Sequence, residues 1–337
     1  SAYVLSTATG FGSAGDTWNG LTVVEVGGSY NCVTDGTTVG SGTFTVLNSV
    51  VTASSGCTGL ANIPQGVISI ASGAFNDSNI TAVTIPSSVT SIGEDAFFEA
   101  HSLNSVTFAS GATVESIGRR AFSETGLYAI TIPSSVQSIG QGAFASSSSL
   151  ELLIFDGDAP TEVGTDAFLG LDDAAAAYVA NTAIGYGDEG SNWNGLVVDK
   201  VGGTYECTTA GSQSGTFNVS DFVVTGNTDC AGELIVPQGV KTIAAAAFQN
   251  ALLTSVTIPA SVVTIGDNAF DSNSVITEVL FTGPSQLQSI GAAAFIYNSS
   301  LTSIAIPDSV TTIGELAFAG TSVLEEVSFT TASRLQT

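Results

Sequence analysis

Apolar residues recur along this chain in two rhythms inside one short unit. Ile80 to Phe97 reads ITAVTIPSSVTSIGEDAF, and Leu127 to Phe144 reads LYAITIPSSVQSIGQGAF. Leu253 to Phe270 reads LTSVTIPASVVTIGDNAF, and Leu301 to Phe318 reads LTSIAIPDSVTTIGELAF. The first half of each unit alternates β-branched and polar positions and stops at Pro. That predicts a short strand, because Pro has no N–H to give to a ladder. The second half, Val-x-x-Ile-Gly, predicts another short extended piece ended by Gly. The closing Ala-Phe step predicts a short helical turn that buries one aromatic ring per unit.

The closing rings are Phe75, Phe97, Phe122, Phe144 and Phe168, then Phe248, Phe270, Phe295 and Phe318. Their spacings are 22, 25, 22 and 24 residues in the first set and 22, 25 and 23 in the second. In the 25-residue units the Ile-Pro step is missing and a loop takes its place. A unit of this size buries too little apolar surface to fold alone. Units stacked in register bury continuous columns of Val, Ile, Leu and Phe, which is the solenoid solution. All nine rings are expected to lie inside.

A second, longer period overlies the first. WNGLTVVEVGGSYNC from Trp18 to Cys32 matches WNGLVVDKVGGTYEC from Trp193 to Cys207, and Phe75 matches Phe248. A whole module of about 173–175 residues is therefore duplicated in tandem. The expected organisation is closing strands of a preceding module at 1–27, a β-rich cap at 28–62, and a repeat array at 63–171. Closing strands and junction follow at 172–202, then a second cap at 203–235 and an incomplete second array at 236–337. Residues 1–27 match residues that follow an array, so the chain reads as a segment of a longer tandem protein. Trp18 and Trp193 are expected to pack at equivalent junctions between modules.

The repeat resembles the BspA-like leucine-rich repeats of surface and secreted proteins, on the Ile-Pro and Ile-Gly-x-x-Ala-Phe motifs just quoted. The resemblance covers 63–171 and 236–337. It implies a mainly β, curved leucine-rich-repeat solenoid with an adhesive or interaction role, and it brings no catalytic residues.

Each module carries two cysteines at matched places, Cys32 and Cys57, then Cys207 and Cys230. The stretch between them alternates like a hairpin, which would bring the pair together. One pair per module reads as an intramodule disulfide and an oxidising compartment. Free buried thiols are the competing reading. A metal site needs three or four ligands close together, more than one pair supplies.

Charge narrows the partners. There are 30 Asp and Glu against 5 Lys and Arg, a formal net charge of −25. So few basic side chains cannot neutralise a run of phosphates, which excludes nucleic acid. An anionic membrane surface repels the chain too. No run reaches the ~18 apolar residues of a membrane span, so no membrane insertion is expected.

Chemistry motifs are sparse. Gly10 to Gly15 and Gly185 to Gly190 both spell G-x-G-x-x-G. A dinucleotide loop must open a helix, whereas strand-like residues follow both, and Asp188 and Glu189 would repel phosphate. The single histidine, His101, sits in a loop between units, and any Ser-His-Asp mechanism would have to use it. Acidic pairs at Asp156/Asp158, Asp172/Asp173 and Asp188/Glu189 suit calcium better than catalysis; a solvated acidic surface is the plainer reading. Sequons at Asn76, Asn79, Asn218 and Asn298 number about what a chain this rich in Ser and Thr contains by chance.

These readings converge on a non-enzymatic extracellular or cell-surface protein of tandem modules, without cofactor. The structural or adhesive version, a segment of a fibre or surface filament, has self-association or further tandem modules as its partner. The alternative is a ligand-binding receptor module for protein or surface carbohydrate. A receptor site would show as a cluster of aromatic or charged side chains present in one module only.

Overall fold

The computed structural model describes residues 1–5, 13–34, 40–209 and 212–329. The chain divides into two compact units, Ser1–Ala177 with Ala183–Asp199, and Tyr178–Thr182 with Lys200–Thr337. Each contains an antiparallel cap that passes directly into a β-solenoid array.

In the first unit the cap strands are Gly28–Asn31, Ser41–Leu47 and Val50–Asn62, paired antiparallel in sequence order. Asn48 and Ser49 both take positive φ (51° and 62°) at the tip joining the last two, as a two-residue hairpin demands. Strand Val50–Asn62 then starts both strand rows of the array. Its Val50 and Val51 pair in parallel with Ser69–Ile70, while its residues from Thr58 to Asn62 pair with strand Asn79–Ile85. The longer row continues through Ser105–Phe108. The two-residue row runs through Ser91–Ile92, Ser116–Ile117, Ser138–Ile139 and Glu162–Val163.

The second unit repeats the plan. Its cap strands are Gly203–Thr209, Ser212–Ser220 and Val223–Thr228. Val223 and Val224 start the two-residue row at Thr242–Ile243, and Ala231–Ile235 starts the longer row at Leu252–Ile258.

The cysteines staple each cap. Cys32 is bonded to Cys57 with their Cα atoms 5.6 Å apart, and Cys207 to Cys230 with 5.4 Å. All four are buried.

Proline and glycine mark the corners for two different reasons. The carbonyls of Pro64, Pro86 and Pro133 each accept the N–H three residues on, from Val67, Val89 and Val136. Proline thus ends the strand and opens a tight turn that drives a Val inward. The Gly of Ile-Gly has ordinary φ but no room. A Cβ on Gly93 would stand 2.6 Å from the Ser72 nitrogen, and one on Gly118 equally close to Glu94. Consecutive coils approach too closely there for any side chain.

The Ala-Phe step departs from expectation. It forms no helical turn, and no helix occurs among the described residues. Instead the residue two before and the residue two after every closing Phe take the left-handed conformation. Around Phe122 these are Arg120 (φ 50°) and Glu124 (φ 57°); around Phe295 they are Ala293 (φ 53°) and Tyr297 (φ 58°). The physical reason is pairing between coils. A helix would turn every N–H back along its own axis. Here Arg120, Phe122 and Glu124 instead donate forward to the carbonyls of Gln141, Ala143 and Ala145 in the next coil. This corner row makes a third ladder beside the two strand rows.

Inside the corner the rings stack. Phe75, Phe97, Phe122, Phe144 and Phe168 follow one another at 5.1–5.7 Å between centroids, with planes within 11°. Phe248, Phe270, Phe295 and Phe318 do the same at 5.1–5.6 Å, with planes within 12°. The spacing follows the 4.7–4.9 Å repeat of paired strands with a slight offset, which aromatic quadrupoles favour. Phe44 and Phe217 of the caps close the two stacks at their N-terminal ends. Eight of the nine repeat rings are buried; Phe318 is half-buried. It is the outermost ring of its stack, with no further ring over its outer face among the described residues.

Buried polar side chains lie beside the rings at the third residue after Phe122, Phe144, Phe270 and Phe295: Thr125, Ser147, Asn273 and Asn298. Thr125 and Ser147 both donate to the Phe122 carbonyl. In the second unit Asn273 donates to the carbonyls of Phe248 and Phe270, and Asn298 to that of Phe270. Each bond satisfies a carbonyl that the corner geometry leaves facing the core.

Phe122→Ala should lower unfolding stability by about 3–5 kcal/mol, the usual loss for a buried aromatic. Phe318→Ala should lose less than half of that. Urea unfolding of the two variants provides the comparison. Replacing Cys32 and Cys57 together by Ser should lower stability by about 3 kcal/mol on the chain-entropy model, measured by thermal unfolding against the untreated chain.

Candidate interaction surface: the closing hairpin and its aromatic seat

After the first array the chain makes a short hairpin, Asn192–Trp193 paired with the start of Leu196–Val201. Asn194 and Gly195 at its tip have φ of 50° and 97°. This is the Asn-Gly signature of a two-residue turn whose twist matches the strands. The hairpin delivers Trp193 onto the end of the array. Its indole lies 5.2 Å from Phe155, edge-on, 5.8 Å from Phe168 and 4.8 Å from Tyr186. Trp193 and Leu196 are buried, and Phe168 gains the cover that Phe318 lacks. Tyr186 donates to the Gly157 carbonyl at 3.3 Å. Burial holds its phenol well above the usual range, with Asp158 and then Asp156 adding to the shift.

The same hairpin exists earlier in the chain. Trp18 pairs with Leu21 and Thr17 with Thr22, and Asn19 and Gly20 take the same positive φ signs. Here, however, both Trp18 and Leu21 are exposed. Within the first unit the seat on an array end belongs to Trp193. Local sequence builds the same hairpin twice, but within the first unit an array end lies under only one of them.

Other candidate residues are scattered. His101 is exposed, its Nδ1 2.8 Å from the Glu124 carbonyl oxygen. Residues 10–12 of the first G-x-G-x-x-G lie outside the described residues. In the second, Gly185, Gly187 and Gly190 all have positive φ and lead into strand Asn192–Trp193. Asp158 accepts the Ile184 N–H, and Asp172 accepts that of Ala174. Among the described residues no group of three or more His, Cys, Asp or Glu could hold a metal ion. Of the sequons, Asn76, Asn79 and Asn218 are exposed, but Asn298 is fully buried. Its amide is one of the buried polar groups beside the rings, so the folded chain does not present it for glycosylation. Its spacing from Phe295, the same three residues that separate Asn273 from Phe270, is the sequence signal for that role.

One feature of the second array has no counterpart in the first. Tyr297 and Leu316 project from the corner row, exposed, in left-handed conformations at φ 58° and 60°. The matched places in the first array hold Glu124 and Gly142. The first array instead carries cross-coil ion pairs, Arg119 with Glu94 at 2.6 Å and Arg120 with Asp95 at 2.8 Å. Arg120 also stacks 4.5 Å over the Phe98 ring.

A β-solenoid with one aromatic and one Ile-Gly corner per coil is the architecture of a leucine-rich-repeat protein. The model of the BspA type leucine-rich repeat region matches residues 54–174 and 226–336 in six copies, and the chain belongs to that family. Among solved structures it is similar to a leucine-rich cell surface protein from Faecalibacterium prausnitzii A2-165, at 23% identity over 92% of this chain and 98% of that one, TM-score 0.31. It is similar to the pneumococcal vaccine antigen PcpA at 20% identity, over 86% of this chain and 80% of that one, TM-score 0.31. A leucine-rich repeat protein from Bacteroides ovatus ATCC 8483 shares 19% identity over 89% of each chain, TM-score 0.27. No curated protein matches the chain.

Trp193→Ala should lower stability by about 3–5 kcal/mol, whereas Trp18→Ala should change it by less than about 1 kcal/mol; matched thermal melts measure both. Asp199 supplies a pH test. Burial, then the nearby Glu189, raises its carboxyl above the usual value. The folded state therefore binds this proton more readily than the unfolded chain, and ionisation weakens folding as pH rises through the carboxylate range. Asp199→Asn should raise the Tm at pH 7, and the gain should shrink to nothing below about pH 4.

Proposed function

We propose that the chain is a non-enzymatic extracellular structural or adhesive protein that works through tandem repetition of one cap–array–closing-hairpin module. The observation that carries this reading is the hairpin of Trp193 seated on Phe155 and Phe168. A sequence repeated elsewhere in the same chain is used there to close an array, which is how a repeat protein extends without exposing its end. The cysteine pairs favour an oxidising, extracellular setting. The strongly acidic surface keeps a protein rich in Ser and Thr in solution.

A second reading, a receptor module for a protein or a surface carbohydrate, draws on Tyr297 and Leu316. Both side chains are large and exposed, and the matched places in the first array hold Glu124 and Gly142. Tyr297→Ser with Leu316→Ser should abolish ligand binding if the receptor reading is right and leave a structural role untouched.

Immunogold labelling of intact and permeabilised source cells tests the main proposal. Label on intact cells, in linear arrays, is the expected outcome. Label restricted to permeabilised cells would sink it.

A further inference from the structure

The corner rows of the two arrays share one backbone and differ in one file of side chains. At the second residue after successive closing rings, the first array carries Asp77, Glu99 and Glu124, at φ 52°, 58° and 57°. The second carries Asn250, Ser272 and Tyr297, at φ 58°, 59° and 58°. Three carboxylates are thus replaced by an amide, a hydroxyl and a phenol on the same frame. That frame is fixed in the second array, where the N–H groups of Asn250, Ser272 and Tyr297 each donate to the next coil at 2.8–2.9 Å. Both sets of side chains are compatible with the same ladder. The change therefore concerns what the surface meets, not how the corner folds.

Tyr297 is 58% exposed, and its ring lies against Gly320 of the next coil. A Cβ on Gly320 would stand 2.9 Å from the ring Cε1 and closer still to Cδ1. The missing side chain thus seats the ring, and the matched place in the first array holds Ser146. One coil back from Tyr297, Ser272 donates to Asp271 Oδ1 at 2.7 Å, and Gln249 Nε2 donates to Asp271 Oδ2 at 2.6 Å. Each carboxylate oxygen has two lone pairs. Two donors therefore orient Asp271 and leave it able to accept a pair of neighbouring hydroxyls. The first array has Phe98 in the place of Asp271. Ring and carboxylate stand one coil apart, about 4.8 Å along the ladder, which is close to the width of a sugar ring. An open aromatic surface with a few oriented polar groups is the composition of a small-ligand site.

We infer that the corner of the second array, through Tyr297 with Asp271 beside it, binds a neutral hexopyranose of a surface oligosaccharide. The C–H face of the sugar lies on the Tyr297 ring, whose negative face attracts it. Two vicinal hydroxyls donate to the Asp271 carboxylate in charge-assisted hydrogen bonds. Anionic sugars are refused, because Asp271 is itself an acid and the chain carries a net −25. The first array, with Asp77, Glu99 and Glu124 along the same file and no ring at the place of Tyr297, has no such site. A single contact of this kind is weak, so useful affinity comes from several copies meeting several sugars on one surface. The inference rests on the receptor reading above, for which it names the ligand class and the residues.

The test applies the full chain, fluorescently labelled, to an array of immobilised neutral, sialylated and sulfated oligosaccharides. Neutral oligosaccharides should hold the chain and the anionic ones should not. On the neutral oligosaccharides that bind, Tyr297→Ala should weaken binding about tenfold, the scale of one stacking contact. Tyr297→Phe keeps the ring and should retain binding. Asp271→Ala should weaken it as Tyr297→Ala does, and Glu124→Ala, at the matched place of the first array, should leave it unchanged. Thermal melts of each variant, matched to the unmodified chain, separate loss of the site from loss of the fold. An array on which no neutral oligosaccharide holds the chain would overturn the inference. So would binding that Tyr297→Ala and Asp271→Ala both leave intact. A protein ligand lost on Tyr297→Ser with Leu316→Ser, beside an empty array, would sink the sugar and leave the receptor reading standing, so the two fail separately.

Discussion

Coil-to-coil register in this protein depends on the corner row, where each closing Phe except the last of each array gives its N–H to an alanine carbonyl one coil further on. Those bonds run from 2.7 to 2.9 Å, from Phe75 to Ala96 at one end and Phe295 to Ala317 at the other. They exist only because residues on both sides of the Phe are left-handed. For Arg120, Glu124, Tyr297 or Leu316 that conformation costs about 1–2 kcal/mol each. Three N–H groups per coil, a stacked ring and two strand rows offset the strain. A corner outside such a stack would have no reason to keep it. The conformation is thus a collective property, and single coils should not hold it alone.

The same dependence makes the ends the weak points. An interior coil is fixed from both sides, whereas an end coil lacks one set of partners and one ring. The protein treats its ends differently. At the start, strand Val50–Asn62 begins two rows at once, and a disulfide ties it to the cap. At the end of the first array, a hairpin brings an indole over the last ring. Stability should therefore decline toward any uncovered coil, as expected where only neighbours interact.

Much of this was legible beforehand because repetition is a strong signal. Phase and spacing of Pro, Gly and Phe marked the corners, alternating Val and Ile marked the strands, and matched cysteines marked the caps. The left-handed corner row is invisible to local pattern because its positions carry no common residue type: Gly73, Asp77, Arg120, Glu124, Ala246 and Leu316 all occupy it. Propensity is blind there, since the conformation is imposed by the next coil. The buried role of Asn298 is hidden for a related reason. Its role depends on the Phe270 carbonyl, 28 residues earlier in the chain.

The sequence by itself determined the coil, its period, its apolar columns, the cap hairpins and the Asn-Gly hairpins that carry the two tryptophans. Each of these rests on interactions a few residues apart, or on a pattern repeated so often that register follows. Only the tertiary structure decided which identical hairpin is buried. Trp18 and Trp193 sit in the same four-residue motif with the same turn, yet one is exposed and the other lies against Phe155, Phe168 and Tyr186. Burial of a side chain is a property of what the rest of the chain places beside it, and no local pattern encodes that.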